Sequence, residues 1–298
     1  MKDKNTLGGI LLVALSATVI GFMPIFAKTA YATGTSTYTL LFLRFLIAAS
    51  AMFLLIFLRK LKMPTKKEML LYLLLGVAGD AGQSYCYFAA LNHTSSGVVS
   101  LLLYTSPAMV MVVSVLWLKE KFTVQKGIAL CLALIGSAVI IGAEFDANPT
   151  GIILSVLSAV FYTAHIVLGA KVIKEGEELQ ASAFVMLGSA SVFGILNLFT
   201  GFTPPTQLSG FVSIGMVALV STAVGFWSFY VGIKKTGAST ASLVATLEPV
   251  VTVFSSAIIL SETLTKNTVI GGCLVIAALI ITALGSKSDG QRSVGTAT

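Results

Sequence analysis

Long uninterrupted apolar segments dominate this sequence and restrict its possible folds more than any other feature. A helix needs about 20 apolar residues to cross a hydrocarbon core of about 30 Å. Ten segments of this kind are identified, at residues 7–27, 36–58, 69–91, 95–118, 125–143, 149–170, 181–200, 209–233, 238–260 and 267–285. They do not alternate apolar and polar residues as the strands of a membrane barrel do. The predicted fold class is therefore an all-α integral membrane protein with ten transmembrane helices.

The composition restricts the function classes in the same direction. Charged residues make up 10% of the chain, whereas a soluble domain contains about 25%. The ten segments use nearly all of the 298 residues, so no soluble catalytic or signalling domain is left over. An ordinary soluble enzyme and a disordered protein are both excluded by this arithmetic.

Basic residues are concentrated on one side of the predicted membrane. Sixteen Lys and Arg residues fall on that side, and the opposite side has only Lys28 and Lys266. Because basic residues favour cytoplasmic loops, both termini are predicted to be cytoplasmic. The polar segment 286–298 is predicted to be a disordered cytoplasmic tail. The net charge of +7 is thus interpreted as a topology signal, and no nucleic-acid partner is expected beside the lipid bilayer.

The chain matches itself at a constant offset of 142 residues. Residues 9–12 (GILL) match residues 151–154 (GIIL), and Pro107 matches Pro249. A single offset that holds along both halves without gaps is a specific sign of an internal repeat.

Each copy of the repeat contains five segments, so the second copy enters the membrane from the opposite side. We expect a first five-helix repeat at residues 1–143 and a second, inverted repeat at residues 149–285. Inverted repeats are typical of secondary transporters, which bind substrate near the midplane and expose it to one side at a time.

Two segments carry a family resemblance. Residues 94–136 (TSSGVVSLLLYTSPAMVMVVSVLWLKEKFTVQKGIALCLALIG) and residues 236–278 (TGASTASLVATLEPVVTVFSSAIILSETLTKNTVIGGCLVIAA) share small residues that open a helix, a proline within it, a glutamate at its end and a glycine-rich last helix. Both resemble the second part of the EamA repeat of the drug/metabolite transporter superfamily. The resemblance implies ten helices, transport and often export of small metabolites such as amino acids, and a location in a bacterial inner membrane.

Ionisable side chains inside the segments are the first candidates for a site, because burying them in a membrane is expensive. Arg44 lies about 12 Å below the outer end of the second segment, and Asp80 and Glu248 lie near the midplane. None of these three has a charged counterpart in the other copy. This asymmetry predicts a substrate with two distinct ends, with Arg44 facing a carboxylate and Asp80 or Glu248 facing an ammonium group or carrying a proton. The alternative is a permanent structural ion pair between Arg44 and Asp80.

Three segments also carry polar residues at helical spacing, so that each has one polar face. These faces consist of Asp80, Gln83, Ser84 and Tyr87 in the third segment, Ser100, Tyr104 and Pro107 in the fourth, and Ser158, Tyr162 and His165 in the sixth. Lipid does not solvate such faces, so together they predict a polar central cavity. For any single residue, a hydrogen bond between helices is an equal alternative. Trp227 either belongs to the aromatic belt or closes the cavity.

Pro107 and Pro249 lie within segments at equivalent positions and are predicted to kink the helices and to act as hinges. Glu120 and Glu262 precede helices in short connections. They are predicted to have a structural role, because exposed amides at a helix N-terminus stabilise a carboxylate.

The sequence therefore predicts a secondary transporter of a small polar organic metabolite, most simply an amino acid for export, working by alternating access. Its predicted substrate-binding residues are Arg44, Asp80, Gln83, Tyr87, Tyr104, Tyr162, His165, Trp227 and Glu248. Efflux of amphipathic or cationic drugs is the first alternative, and an intramembrane enzyme is a second from a different class. No catalytic residue, metal or cofactor is expected, proton coupling is considered, and the chain is expected to be a monomer or a homodimer.

Overall fold

The computed structural model describes residues 2–90, 93, 99, 102–141, 148–259 and 266–295. Within these ranges every regular element is a helix. The α-helices are α1 (Lys2–Gly21), α2 (Met23–Ala32), α3 (Thr37–Leu58), α4 (Lys66–Leu74), α5 (Ala81–Ala90), α6 (Ser106–Trp117), α7 (Val124–Ile141), α8 (Pro149–Val172), α9 (Glu178–Thr200), α10 (Leu208–Met216), α11 (Gly225–Thr236), α12 (Ala238–Ala245), α13 (Leu247–Ile259) and α14 (Lys266–Gly295).

Within the described part of the chain, six helical stretches are long and apolar enough to cross a membrane. They are Thr6–Ala32, Thr37–Leu58, Pro149–Val172, Glu178–Thr200, Leu208–Thr236 and Ala238–Ile259. Shorter apolar helices cover Ser106–Trp117, Val124–Ile140 and Val269–Leu284. The chain is thus a multi-pass membrane protein, and the number of ten spans stays a prediction. Ser100 and Glu262 lie outside the described residues.

The packing of the helices follows the internal repeat. Helix α3 packs along α9, and α7 packs along α14, so that each of these helices contacts its own counterpart in the other copy. Helix α1 packs on α11, and α8 packs on α5, which is the same contact with the two copies exchanged. The core of the molecule is therefore built between the two copies rather than within each of them.

Two glycines set the distance between α7 and α14. A Cβ atom on Gly271 would lie 2.5 Å from the carbonyl oxygen of Gly136, and one on Gly136 would lie 2.7 Å from the carbonyl oxygen of Gly271. No side chain fits at such distances, so the two backbones cross in direct contact. Small residues at a crossing allow membrane helices this close an approach.

Two helices widen into π-helical segments at equivalent positions of the repeat. One segment is Leu75–Asp80, between α4 and α5, and the other is Val217–Val224, between α10 and α11. Their first residues are 142 positions apart, which is the offset of the repeat. A π-helical turn shifts the residues that follow it around the helix axis and is frequent at functional sites.

The two prolines that were predicted to be hinges begin helices instead of bending continuous ones. Pro107 is in the first turn of α6, and Pro249 is the third residue of α13, after a break at Thr246. Proline is tolerated in a first turn because the missing N–H would have no intrahelical acceptor there. The predicted kinks are therefore helix interruptions, and the role of the prolines as hinges stays a prediction.

Connections that carry lysines meet at one end of the bundle. The Lys174 ammonium group forms an ion pair with Glu68, which precedes the third predicted segment. Lys234 Nζ donates a hydrogen bond of 2.7 Å to the carbonyl oxygen of Ala170. We call this the lysine-rich end; its assignment to the cytoplasm rests on the charge bias of the sequence. The predicted disordered tail begins within α14, whose backbone is helical to Gly295.

Glu120 caps a helix of the other repeat. Its Oε1 accepts a hydrogen bond of 2.7 Å from the backbone N–H of Ala238, and its Oε2 accepts from the N–H and the hydroxyl of Ser239. These are the first residues of α12, so the predicted structural role is found at a different helix from the one that follows Glu120 in sequence. A Cβ atom on Gly237, whose φ is +84°, would lie 2.8 Å from Glu120 Oε1.

Candidate substrate cavity

A cavity of about 390 Å³ lies between the two copies of the repeat. Its size suits a small ligand, for which protein sites usually offer 300–1,000 Å³. Seven of the predicted binding residues line it: Arg44, Asp80, Gln83, Tyr87, Tyr162, His165 and Glu248. Predicted binding residues from four different segments, with three embedded charges among them, thus converge on one space.

Tyr104 and Trp227 are not among the residues that line the cavity. Trp227 is 38% exposed on the outer surface of α11, and its neighbour Phe226 lines the cavity instead. Successive residues of a helix point about 100° apart, so only one of two neighbouring aromatic rings can face inward. Tyr104 lies in the turn before α6.

Most of the lining that sequence reasoning missed is apolar. The additional residues include Ile20, Met23, Tyr31, Phe88, Phe226 and Phe229. An apolar side chain in an apolar segment carries no signal of its own, because both lipid-facing and core-facing positions of a membrane helix accept apolar residues. Polar residues were identifiable because they stand out against that background.

Arg44 presents a buried guanidinium group to the cavity. Its Nη1 donates to the Met23 sulfur at 3.0 Å, and its Cζ lies 4.3 Å from the centre of the Phe45 ring. The Arg44 Nε has no hydrogen-bond partner in the described part of the molecule. Among the described residues no carboxylate lies within 4.0 Å of it, so the alternative of a permanent ion pair with Asp80 does not describe this structure.

Asp80 is held by a different partner. It is the last residue of the first π-helical segment, and its Oδ2 lies 2.7 Å from the Ser189 hydroxyl of α9. The same hydroxyl lies 3.2 Å from the carbonyl oxygen of Gly76, which also accepts from the backbone N–H of Ala81. The buried carboxylate therefore has a hydrogen-bond donor of its own, and Arg44 is near enough to act on it electrostatically without an ion pair between them in the described structure.

Glu248 enters the cavity from the break in the ninth predicted segment. It is the second residue of α13, where the amides of the first helical turn favour a carboxylate. Arg44 is near enough to Glu248 to act electrostatically on it, without an ion pair between them in the described structure. The carboxylates of Asp80 and Glu248 and the guanidinium of Arg44 thus share the cavity as separate charges.

Two hydrogen-bonded pairs connect the polar faces of neighbouring helices. His165 Nε2 lies 2.8 Å from the hydroxyl of Tyr230, which is buried in α11. The Ser158 hydroxyl donates to the carbonyl oxygen of Gln83 at 3.1 Å. Ser158 is fully buried and does not line the cavity, so at this residue the alternative of a bond between helices holds.

The cavity extends towards the end of the bundle opposite to the lysine-rich end. Its lining reaches Lys28 and Tyr31, in the last turns of α2. In the other direction it ends at His165 and Phe229, beyond which the Glu120 contact and the lysine-bearing connections close the bundle. The arrangement can hold a small molecule that carries both an anionic and a cationic group.

Comparison with known proteins gives a family. The model of the family described as "EamA-like transporter family" matches residues 7–142 and again residues 149–284, which confirms two repeats.

Relatives over most of the chain are also transporters. An uncharacterized transporter of Haemophilus influenzae is 26% identical, with 96% of this chain and 98% of the relative covered. The uncharacterized transporter YyaM of Bacillus subtilis is 28% identical, covering 81% of this chain and 82% of its own. A solved crystal structure superimposes with a TM-score of 0.79 at 16% identity, over 94% of this chain and 98% of that one. This likeness concerns the fold alone.

Proposed function

Because the chain belongs to the EamA-like transporter family and is a multi-pass membrane transporter, we propose that it exports an amino acid by alternating access. The proposal concerns the substrate, the direction and the mechanism of movement. The charges and the lining of the cavity support the substrate, and the repeat and the lysine-rich end support the mechanism.

The charge arrangement of the cavity is the observation that supports an amino acid. Arg44 is buried without a carboxylate partner among the described residues, and Asp80 and Glu248 line the same space. A buried charge is costly unless it is paired, and a guanidinium group binds a carboxylate with two parallel hydrogen bonds. A zwitterionic substrate supplies a carboxylate for Arg44 and an ammonium group for Glu248 or Asp80.

The rest of the lining favours a substrate with an apolar side chain. Between the charged groups lie aromatic and aliphatic residues, among them Tyr87, Phe88, Phe226 and Phe229. Burial of a large apolar side chain against such residues contributes about 1.5–3 kcal/mol. Amino acids with small polar side chains are expected to bind more weakly.

Alternating access is supported by the repeat and by the closed lysine-rich end. Two copies with equivalent contacts can exchange conformations, so that the cavity opens on one side and then on the other. We place the chain in the inner membrane of a bacterial cell, with the lysine-rich end on the cytoplasmic side. The cavity described above then faces the outside of the cell. The sequence has no ATP-binding motif, so a gradient drives transport. Glu248 or Asp80 is the candidate proton carrier.

Counterflow into proteoliposomes tests the proposal. Purified protein is reconstituted into vesicles that are loaded with a mixture of unlabelled amino acids, and entry of single labelled amino acids is followed. We expect faster entry for a subset with large apolar side chains. Parallel measurements with the corresponding amine and the corresponding carboxylic acid are expected to show slower counterflow, because each of these compounds lacks one of the two charges.

The result that contradicts an amino-acid substrate is absence of counterflow for every amino acid with protein that is folded and inserted. Efflux of amphipathic cations is then favoured by a specific observation: two carboxylates, Asp80 and Glu248, line a largely apolar cavity. Counterflow of a labelled lipophilic cation would support this second candidate, and Arg44 would be reassigned to a structural role.

A further inference from the structure

A second concave surface lies on the outside of the bundle, between α6 and α8. It is a groove of about 660 Å³, lined by Ala108, Met109, Val112, Val113, Trp117, Val160, Thr163, Ala164, Val167 and Leu168. Thr163 is the one residue of this lining with a hydroxyl group, and that hydroxyl donates to the carbonyl oxygen of Ala159 at 2.8 Å. The groove is therefore apolar along its whole length and separate from the central cavity.

The length of the groove matches one leaflet of a bilayer. From Met109 to Trp117 the helix rises about 12 Å, and half of a hydrocarbon core is about 15 Å. Val112 and Val160, on opposite walls, are 58% and 47% exposed, so the groove is open to the lipid. An acyl chain of the leaflet at the lysine-rich end fits along it.

A cation lies at the end of the groove where a lipid head group would be. Lys171 is in the last turn of α8, and its Nζ lies 3.9 Å from the centre of the Trp117 ring. Tryptophan prefers the interface of a membrane, and lysines beside transmembrane helices bind anionic head groups. We propose that this groove is a binding site for an anionic phospholipid, with one acyl chain between α6 and α8 and the head group on Lys171.

The internal repeat shows that the fold does not require this groove. The equivalent junction lies between α1 and α13, where a Cβ atom on Gly21 would be only 2.8 Å from the Val251 Cβ. The Thr252 hydroxyl also donates to the carbonyl oxygen of Gly21 at 2.9 Å. At the offset of 142, Gly21 corresponds to Thr163 and Val251 to Met109. One junction is closed by backbone contact, and its counterpart carries the groove.

The full chain in lipid nanodiscs tests the site with a photoreactive phosphatidylglycerol that carries a diazirine on one acyl chain. We expect cross-links within residues 108–117 and 160–168, and about fivefold lower yield for Lys171→Gln, because one lysine near an anionic head group contributes about that factor. The control Lys67→Gln, which removes an exposed charge from the same end, is expected to keep the yield.

A second variant tests the acyl-chain part independently of the charge. Ala164→Phe fills the groove and is expected to abolish cross-links at both walls, while Leu198→Phe, on another exposed surface, is expected to leave them unchanged. Equal labelling by a photoreactive phosphatidylcholine would overturn the proposal in favour of a neutral lipid. Nanodiscs that hold two copies of the chain and show no lipid label in the groove would overturn it in favour of a dimer contact. Neither result depends on what the central cavity transports.

Discussion

Arg44 and Glu248 face one cavity without forming an ion pair in the described structure, and this separation decides what each residue can do. A guanidinium group that is already paired has little to offer a substrate. One with an unpartnered buried Nε is costly until a ligand arrives. The charged groups that lack an ion-pair partner within the protein are thus the ones most suited to binding a charged group of the substrate.

Replacing Arg44 by methionine tests its role directly. Methionine is the residue at the equivalent position of the other repeat, Met186, so the side chain is compatible with this type of helix packing. We expect Arg44→Met to weaken the apparent affinity for amino acids about thirtyfold, because a hydrogen bond to a charged group contributes about 2 kcal/mol. Counterflow measured over a range of concentrations gives this affinity.

Arg44→Lys serves as the matched control, since it keeps the charge and loses the two-pronged geometry. It should lie between the wild type and Arg44→Met. If Arg44→Met transported amino acids with unchanged affinity, the arginine would have no part in binding the carboxylate.

Glu248→Gln tests proton coupling at the second charge. The glutamine keeps the shape of the side chain and cannot exchange a proton. We expect the variant to retain counterflow of bound substrate but to lose the acceleration of net transport by an imposed pH gradient. A variant that still responds to the gradient like the wild type would remove Glu248 from the coupling mechanism and leave Asp80 as the candidate.

At this scale the sequence predicted the charged residues and missed their partners. Arg44, Asp80 and Glu248 were identifiable because a charge in an apolar segment has few structural explanations. Ser189 was not, because serine is common in membrane helices and its role depends on which helix faces Asp80. Trp227 and Phe226 show the same limit, since a small rotation of α11 decides which of the two rings faces the cavity.

The elements of this protein are positioned by close backbone contacts. Gly271→Ala is expected to destabilise the protein by about 1–3 kcal/mol, because the added methyl group would overlap the carbonyl oxygen of Gly136. Gly215→Ala is the matched control, since a Cβ atom there would meet no atom within 4 Å. Unfolding of both variants in detergent measures the difference, and equal stability would show that α7 and α14 can separate without cost.

The N-terminus of helix α4 is stabilised by interactions that depend on pH. Its N-cap Thr65 and Glu68 form reciprocal hydrogen bonds, and Lys174 forms an ion pair with Glu68. The bond from Lys174 and then the bonds from Thr65 lower the pKa of Glu68 from 4.5 to about 2. A carboxylate whose pKa is lower in the folded state than in the unfolded state stabilises the folded state. This stabilisation is complete at pH values above the unfolded-state pKa and is lost as the pH falls through the folded-state pKa.

Glu68→Gln removes this contribution. The thermal unfolding midpoint of the wild type should exceed that of the variant at neutral pH, and the difference should shrink between about pH 4.5 and about pH 2. Glu175→Gln, which changes an exposed carboxylate at the same end, is the control. A difference that is constant across this range would mean that Glu68 acts through packing instead of charge.

The interruptions of the helices were only partly predictable. Proline is a strong local signal, and both Pro107 and Pro249 do lie in the first turn of a helix that follows an interruption. The π-helical segments have no comparable signal: Leu75–Asp80 contains two glycines, whereas Val217–Val224 contains none. The two segments occupy the same position in the repeat. This indicates that packing between the copies, and not local sequence, determines where the π-helical turns form.

The molecule as a whole is held closed at its lysine-rich end by contacts between the two copies. Glu120, from the first copy, caps α12 of the second. If the two ends open in turn, this contact breaks whenever the lysine-rich end opens. The cap thus favours the conformation described here over the opposite one.

Glu120→Ala is expected to shift the molecule towards opening at the lysine-rich end. A cysteine introduced at Ala245, which lines the cavity, should then react faster with an impermeant thiol reagent applied from that side. Loss of an N-cap costs about 1 kcal/mol, so a rate increase of about fivefold is expected. Glu175→Ala is the matched control, and equal rates in both variants would contradict a role for Glu120 in closure.

The all-helical membrane fold and the two family repeats were the parts that the sequence predicted best. A constant offset of 142 with an odd number of segments in each copy indicates how the copies are related. It does not indicate which helices touch, and the cap from Glu120 to α12 could not be derived from the positions of the two in the chain. Contacts between distant segments depend on the shapes of all the helices together.

The pairing of helices with their own counterparts has a consequence for how such a protein evolves. After a gene duplication, α3 packs on α9 and α7 on α14, so each copy supports the structure of the other. One member of a pair can then carry a charge while its partner carries an apolar side chain, as Arg44 and Met186 illustrate. Duplication thus allows a symmetric scaffold to develop a chemically one-sided interior, and new substrates become accessible through a few substitutions in a single copy.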